Sequence, residues 1–410
     1  MTTYKIAHPS KKISGVIDLA SSKSESNRAL IINALSGSTN DLQRLANARD
    51  TETMLRLLKS NDETLDVLDA GTTMRFLTAF TAIQGKKRVL TGSSRMKERP
   101  IKLLVDALTD LGADISYLEN DGYPPIQING FDREKGSNKI TIRGDVSSQY
   151  ISALLMVGPS LPEGIELTLT GKIGSKPYIQ MTLNLMAHFG AHYTWNNDVV
   201  RIEPSAYKPN EYTIEADWSG ASYWYSIVAL AEDAEIELYG LRKDSNQGDS
   251  VLVELMEKLG VKTTFTEKGV KLTKTSHEAS IDWDFTHCPD IAQTISVICA
   301  VKGVNARLTG LESLRIKETD RIEAIKNELQ KFNVTVEIEG DEAITITKPK
   351  FTIQSENAVA TYKDHRMAMS YAPLALLGDV RIENPDVVVK SYPDYWKDLT
   401  SVGFDIQEEN

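Results

Sequence analysis

The sequence repeats itself. Six times a short cluster of small and polar residues opens an apolar, helix-like run: Ser22-Lys23-Ser24 before Ala29 to Leu35, Gly71-Thr72-Thr73 before Phe76 to Ile83, and Ser147-Ser148-Gln149 before Ile151 to Val157. The other three are Ser219-Gly220-Ala221 before Tyr223 to Ala231, Pro289-Asp290 before Ile291 to Val301, and Lys363-Asp364-His365-Arg366 before Met367 to Leu377. Successive clusters lie about 71 to 76 residues apart, except the first two, which are separated by about 48. The first copy is therefore short by about 25 residues, which corresponds to roughly one strand and part of a helix.

A second, amphipathic helix is expected in each copy, with apolar residues at three- and four-residue spacing and a turn residue at its end. Leu103 to Leu111 stops at Gly112, Met181 to Phe189 at Gly190, Val251 to Leu259 at Gly260, Ile322 to Phe332 at Asn333, and Trp396 to Val402 at Gly403. In the first copy Leu55 to Leu58 plays this part without a glycine stop. Beyond each stop the pattern alternates, as in Val334-Thr335-Val336-Glu337-Ile338, so strands follow. Each unit thus reads strand, helix, strand, helix, strand, strand. Six such units in 410 residues make an α/β chain of two domains with three units each, since one core rarely grows beyond about 250 residues. The rival is an ordinary doubly wound sheet, which lacks paired strands after every second helix.

Composition removes whole classes of function. The net charge of −11 argues against a partner held by its phosphate backbone, so nucleic acid is not expected. No apolar run reaches the ~18 residues of a membrane span, and the first residues carry no leader pattern, so a cytoplasmic chain without membrane contact is expected. Cys288 and Cys299 have no second pair with which to build a disulfide framework or a thiolate zinc site. His188 and His192 stand at helical spacing but lack the accompanying glutamate, so no metal and no cofactor are expected.

The six clusters stand at expected helix N-termini, where unpaired N–H groups and the positive dipole end favour anions. Ser, Thr and Asp are also ordinary caps, so cap identity alone decides nothing. Cations in these places are more telling, because they oppose the dipole. Lys23 and Arg28 flank the first cluster, Arg75 the second and Arg366 the sixth, while Lys317 and Arg321 are expected on one face of the fifth unit's amphipathic helix with Glu318 beside them. The run Arg95-Met96-Lys97-Glu98-Arg99-Pro100-Ile101-Lys102 reads either as a solvated charge run or as part of such a site.

These motifs, in order, resemble the 5-enolpyruvylshikimate-3-phosphate synthase family: Ser22-Lys23-Ser24-Glu25-Ser26-Asn27-Arg28, Asp69-Ala70-Gly71-Thr72-Thr73-Met74-Arg75, the run Arg95 to Pro100, Asp145-Val146-Ser147-Ser148-Gln149 and Gly174-Ser175-Lys176-Pro177-Tyr178. Pro289-Asp290, Arg315-Ile316-Lys317-Glu318-Thr319-Asp320-Arg321, Asp364-His365-Arg366-Met367-Ala368-Met369 and Lys390 before Tyr392-Pro393-Asp394-Tyr395 continue the match over nearly the whole chain. The resemblance implies two similar domains of three βαβαββ units, an inside-out α/β barrel, with the active site in the cleft between them. One domain would combine residues 1–18 with 216–410, and the other would hold residues 19–215 with its shortened first unit.

It also implies a reaction: transfer of the enolpyruvyl group of phosphoenolpyruvate to the 5-hydroxyl of shikimate 3-phosphate, with release of phosphate, by a cytoplasmic monomer of the shikimate pathway that is a target of glyphosate. By resemblance Asp290 is the base, Glu318 the proton donor, and Lys23 lies close to both substrates. Lys23, Ser24, Arg28, Ser147, Ser148, Gln149, Ser175, Tyr178, Asp290 and Lys317 would hold shikimate 3-phosphate. Lys23, Gly71, Arg99, Gln149, Arg321, Arg366 and Lys390 would hold phosphoenolpyruvate. His365 would either assist proton movement or make a structural hydrogen bond.

The chain departs from the family at Asp69, Thr73 and Phe76, where many members read Asn, Ala and Pro; Asp69, beside an anion, calls for a cationic partner. Ser313 stands where many members carry asparagine. The related transferases acting on a UDP-amino sugar place a reactive cysteine before the position of Arg99, and no cysteine occurs between residues 1 and 287. A non-catalytic anion-binding relative would be expected to lose the base or the donor first, and Asp290 and Glu318 are both present.

Overall fold

A computed structural model describes residues 2–37, 42–145, 147–353 and 356–409; Val146 of the fourth motif lies outside them. The chain divides into two compact units, one of Met1–Ser21 with Glu215–Asn410 and one of Ser22–Ile214. No helix among the described residues is long and apolar enough to cross a membrane.

The first unit contains three four-stranded sheets. In one, Ser280–Asp284 pairs parallel with Asn305–Thr309, which pairs antiparallel with Ala343–Ile346, which pairs antiparallel with Val336–Glu339. The parallel pair requires a crossover, supplied by the helix Ala292–Lys302. A second sheet repeats this order with Lys12–Asp18, Asp233–Tyr239, Gly269–Lys274 and Val261–Phe265, and the whole of the second unit is inserted in its crossover, ahead of the helix Trp218–Leu230. The third consists of Ala358–Val359, Val380–Glu383, Thr3–Ala7 and Asp405–Glu409, so the chain's first strand completes its last repeat.

The second unit has the same sheet twice among its described residues. Thr64–Asp66, Arg88–Thr91, Ile126–Phe131 and Ala113–Tyr117 form one. Lys139–Arg143, Ile165–Thr170, Val199–Ile202 and Tyr193–Asn196 form the other. The shortened first repeat corrects the sequence reading. Its two helices, Lys23–Leu35 and Arg49–Lys59, are both complete, and what is missing among the described residues is the sheet. In its place Gln43 alone bridges Thr213, with Gln43 N donating to the Tyr212 carbonyl (2.9 Å) and Ile214 N to the Gln43 carbonyl (3.0 Å).

The layers follow from polarity. Along Asp233–Tyr239 the residues Ala234, Ile236 and Leu238 are buried while the first and third residues face water, the alternation of a sheet wetted on one side. The first helices of three repeats have almost no exposed side: all of Trp218–Leu230, nearly all of Gly71–Gln84 and most of Ala292–Lys302 are buried. A helix apolar all round must be interior, so in each unit the sheets cover the helices. Each unit has its own apolar cluster. The five turn residues that end the second helices, Gly112, Gly190, Gly260, Asn333 and Gly403, all stand at positive φ, where glycine and asparagine are at least strain.

Leu154, on the helix Ser148–Val157, is fully buried, whereas Leu118 is 48% exposed. Leu154→Ala should cost about 2–5 kcal/mol in urea unfolding, and Leu118→Ala should stay within about 0.5 kcal/mol of the parent. Equal effects would mean that the core is misplaced.

Candidate active site

In the first unit the chemistry gathers around one guanidinium. Arg321 opens the helix Arg321–Gln330, whose cap is Asp320, and is 2% exposed. Its Nε donates to Asp364 Oδ2 (2.7 Å), Nη1 to Asp290 Oδ1 (3.0 Å) and Nη2 to Glu318 Oε2 (3.0 Å). A second layer of cations holds the same carboxylates: Arg366 Nη2 lies 2.9 Å from Asp290 Oδ2, Lys317 Nζ 3.6 Å from Asp290 Oδ1, and Lys390 Nζ 3.2 Å from Glu318 Oε1. Arg366 Nη1 also donates to the Tyr223 hydroxyl (3.3 Å). Four cations thus converge on three carboxylates, and Asp217 and Asp249 also act on Arg366.

Backbone geometry makes this cluster possible. Asp364 caps the helix His365–Tyr371, accepting from Arg366 N (2.9 Å), and the turn before it holds Tyr362 and Lys363 at φ 53° and 59°, a conformation uncommon outside glycine. The Tyr362 hydroxyl is tied to Glu328 Oε1 (2.8 Å) on the helix Arg321–Gln330. Lys317 and Arg321 do not share a helix face, contrary to their spacing: the chain from Lys317 to Asp320 is not helical, and the two side chains converge on Asp290 because it folds back. His365 is buried with Nδ1 3.6 Å from Asp364 Oδ1.

Burial raises the proton affinity of Asp290, but Arg366, Lys317 and Arg321 outweigh it and hold the carboxyl well below the usual range. Asp249, which the sequence reading passed over as an ordinary residue, behaves oppositely. It is buried, the Ser219 hydroxyl donates to it, and burial followed by the nearby Asp290 charge pushes it up to about 7. Its neutral form is thereby favoured over that of an ordinary carboxyl.

The second unit presents another set. Ser22 caps the helix Lys23–Leu35, and Lys23 Nζ lies 3.2 Å from Oδ2 of Asp50, a buried partner that no motif singled out. Gly71 opens the helix Gly71–Gln84; a Cβ built on it would lie 2.6 Å from Arg99 Nη1, so no side chain fits there without moving that guanidinium. The basic run after this helix divides: Arg95 pairs with Glu98, Lys97 with Glu119 and Lys102 with Asp106 as solvated ion pairs, while Arg99 turns to Gly71. Arg75 ties these parts together, donating to the Gly71 carbonyl and the Pro100 carbonyl, each at 3.1 Å.

Ser147 caps the helix Ser148–Val157, and Gln149 Nε2 donates to Thr72 Oγ1 (3.0 Å), bringing the second and third repeats together. Ser175 precedes the helix Lys176–His188 at φ 51° and does not spend its hydroxyl on capping. Tyr178 packs at the edge of the apolar cluster. Arg28 is placed differently from an exposed ligand contact. It is 2% exposed and donates to Thr182 Oγ1 (2.7 Å), Ser152 Oγ (3.2 Å) and the Ser24 carbonyl (2.8 Å). Burial pushes its pKa down to about 10, against the pull of Tyr178 and Glu25. Asp69 has the cationic partner its position called for, Arg49, whose Nη2 donates to both carboxylate oxygens at 3.0 and 2.8 Å.

Both units therefore present arginines and lysines at buried helix N-termini, an arrangement suited to phosphate and carboxylate groups. A model of the family described as EPSP synthase (3-phosphoshikimate 1-carboxyvinyltransferase) matches residues 7–66 and 58–399. The chain belongs to the EPSP synthase family. A 3-phosphoshikimate 1-carboxyvinyltransferase of Bacteroides fragilis (strain YCH46) is 47% identical over 407 residues, covering 98% of each chain. One from Psychromonas ingrahamii is 36% identical over 429 residues, covering 97% of this chain and 99% of its own. Among solved structures, an EPSP synthase from Acinetobacter baumannii shares the fold with a TM-score of 0.80 at 19% identity, each chain fully covered. The enolpyruvyl transferase NikO from Streptomyces tendae does so with 0.76 at 14%, covering all of this chain and 99% of its own. Within EPSP synthases this chain is a member with a charged pair, Arg49 and Asp69, beside the Gly71 motif.

Asp249 provides a test of the electrostatics. A carboxyl whose folded-state pKa lies above its unfolded value, near ~3.9, contributes most below that value and loses its contribution as pH rises to about 7. Asp249→Asn should therefore gain stability relative to the parent between pH 4 and 7 and level off above. Urea midpoints of both proteins across that range check it, and a difference that does not change with pH would contradict it.

Proposed function

We infer that the chain transfers the enolpyruvyl group of phosphoenolpyruvate to the 5-hydroxyl of shikimate 3-phosphate and releases phosphate. Family membership over nearly the full length supports the reaction, and one observation carries the residue roles: Asp290 and Glu318 are both held by Arg321, with Lys317, Arg366 and Lys390 against the same two carboxylates.

Asp290 takes the proton of the attacking 5-hydroxyl as its oxygen bonds to the enol carbon. Glu318 gives a proton to the methylene, which becomes a methyl group in a tetrahedral phosphate ketal. Collapse reverses the second transfer: Glu318 regains a methyl proton, the double bond reforms, and the C–O bond to phosphate breaks. Lys23 lies close to both substrates. Arg321, Arg366 and Lys390, with Lys23, Gly71, Arg99 and Gln149, hold phosphoenolpyruvate. Ser24, Arg28, Ser147, Ser148, Gln149, Ser175, Tyr178, Asp290 and Lys317 hold shikimate 3-phosphate, with Arg28 acting chiefly by fixing the helix that carries Lys23 and Ser24.

The ion pairs of Asp290 bear on how such a base works. Ion-paired to Arg366, Lys317 and Arg321, Asp290 holds a proton weakly and is a poor base. A phosphate or carboxylate shared among those cations weakens their hold, so proton affinity rises when the substrates are in place. General-base strength is then coupled to ligand occupancy.

Phosphate release from phosphoenolpyruvate that depends on shikimate 3-phosphate tests the assignment, and no release with that acceptor would sink it. Asp290→Asn and Glu318→Gln should each lower turnover by about 10²–10⁴. In deuterated water the parent should exchange the methylene hydrogens of phosphoenolpyruvate when shikimate 3-phosphate is present. Glu318→Gln should lose that exchange while still binding shikimate 3-phosphate; unchanged exchange would reduce Glu318 to an ion-pair partner of Arg321.

A further inference from the structure

Two of this chain's departures from its family bracket Gly71, and both are met by consecutive residues of one helix. Asp69, two residues before Gly71, pairs with Arg49; Thr73, two residues after it, donates from Oγ1 to the Asp50 carbonyl (3.2 Å). The Asp50 carboxylate in turn reaches Lys23 Nζ at 3.2 Å. Arg49 and Asp50 begin the helix Arg49–Lys59, where an arginine opposes the dipole and gains the helix nothing by itself. Its guanidinium, 43% exposed, lies on Asp69 instead.

The position makes the charge matter. Two peptide units span at most about 7 Å, so the Asp69 backbone lies within about a Debye length of Gly71 and of the anion proposed there. Gly71 admits no side chain beside Arg99, so the backbone itself forms the wall of that place. An acidic residue so close lowers the affinity for a phosphate or carboxylate unless a cation offsets it.

We propose that Arg49 is a positioning residue for phosphoenolpyruvate: through Asp69 it offsets a negative charge beside the Gly71–Arg99 anion pocket, and with Asp50 it clamps the turn that carries Gly71. The inference rests on the enolpyruvyl-transfer reading. The helix Arg49–Lys59 belongs to the shortened repeat, so an element that has no sheet among the described residues keeps a task at the neighbouring repeat's helix terminus.

Steady-state kinetics on the full chain with both substrates test this. Arg49→Ala should raise the KM for phosphoenolpyruvate about three- to ten-fold, the effect expected of one largely solvated charge at this range. Turnover and the KM for shikimate 3-phosphate should stay within about two-fold. Added salt should shrink the defect by screening. Arg49→Ala combined with Asp69→Asn should return the KM to within about two-fold of the parent, a repair that a merely structural loss would not allow. If the parent turns over but Arg49→Ala matches its KM, or if removing the Asp69 charge does not repair the defect, the inference is overturned while the function stands. A parent that releases no phosphate with shikimate 3-phosphate would overturn both.

Discussion

The first helix of each repeat cannot be placed at a surface, and most of the architecture follows from that restriction. Trp218–Leu230 buries every one of its residues, and Ser148–Val157 all but one. Such a helix has its backbone bonds satisfied internally except at its ends, where the first N–H groups need partners. Water, caps or ligands are the available choices. Concentrating polar residues at the N-termini is therefore both what allows the helices to be buried and what creates anion-binding groups, so the core and the candidate site are products of one constraint.

At the Arg321 terminus the constraint is pushed further. Withdrawing a guanidinium and three carboxylates from water costs several kcal/mol per ion before their attraction is counted, so such clusters are seldom favoured for stability alone. Here Asp364 is fully buried on one side of Arg321, while Asp290 and Glu318 keep some exposure on the other. The buried side fixes the geometry. The partly exposed side leaves two carboxylates and their outer cations, Lys317, Arg366 and Lys390, available to rearrange around an incoming anion.

Much of this was legible because it is local. The repeat interval, the apolar runs and the turn residues depend on neighbours in sequence, and each stop residue stands at the positive φ that its type suggests. What was not legible depends on the fold. Spacing placed Lys317 and Arg321 on one helix face, yet they meet through a non-helical turn, because Asp320 caps the helix one residue before Arg321. Arg28 looked like a cation presented to a ligand; Thr182 and Ser152, distant in sequence, draw it inward. Asp50 and Asp249 carried no motif, and their burial, which sets them apart from solvated acidic residues such as Glu98 and Asp106, is a product of the fold. The deficit of the first repeat was visible as a number of residues, but not as the lack of a sheet among the described residues, since spacing counts residues and not hydrogen bonds.

How a chain of net charge −11 can hold two anionic ligands is then a question of where charges lie and not of their total. Many acidic residues are spent on solvated partners, such as Glu98 on Arg95, Glu119 on Lys97 and Asp106 on Lys102, pairs that screening reduces to a small energetic effect. Buried charges are screened far less. In the interior, burial and the Asp290 charge drive Asp249 toward its neutral form, whereas Arg321 and Arg366 remain cations because neighbouring carboxylates outweigh the burial that opposes their charge. The same reasoning separates Arg49 and Asp69 from the distant surface pairs: they too are solvated, but they stand beside a backbone wall at Gly71 where an uncompensated carboxylate would be felt by a ligand. The acidic total keeps the molecule apart from other polyanions, and the depth of a few side chains decides which small anions are admitted.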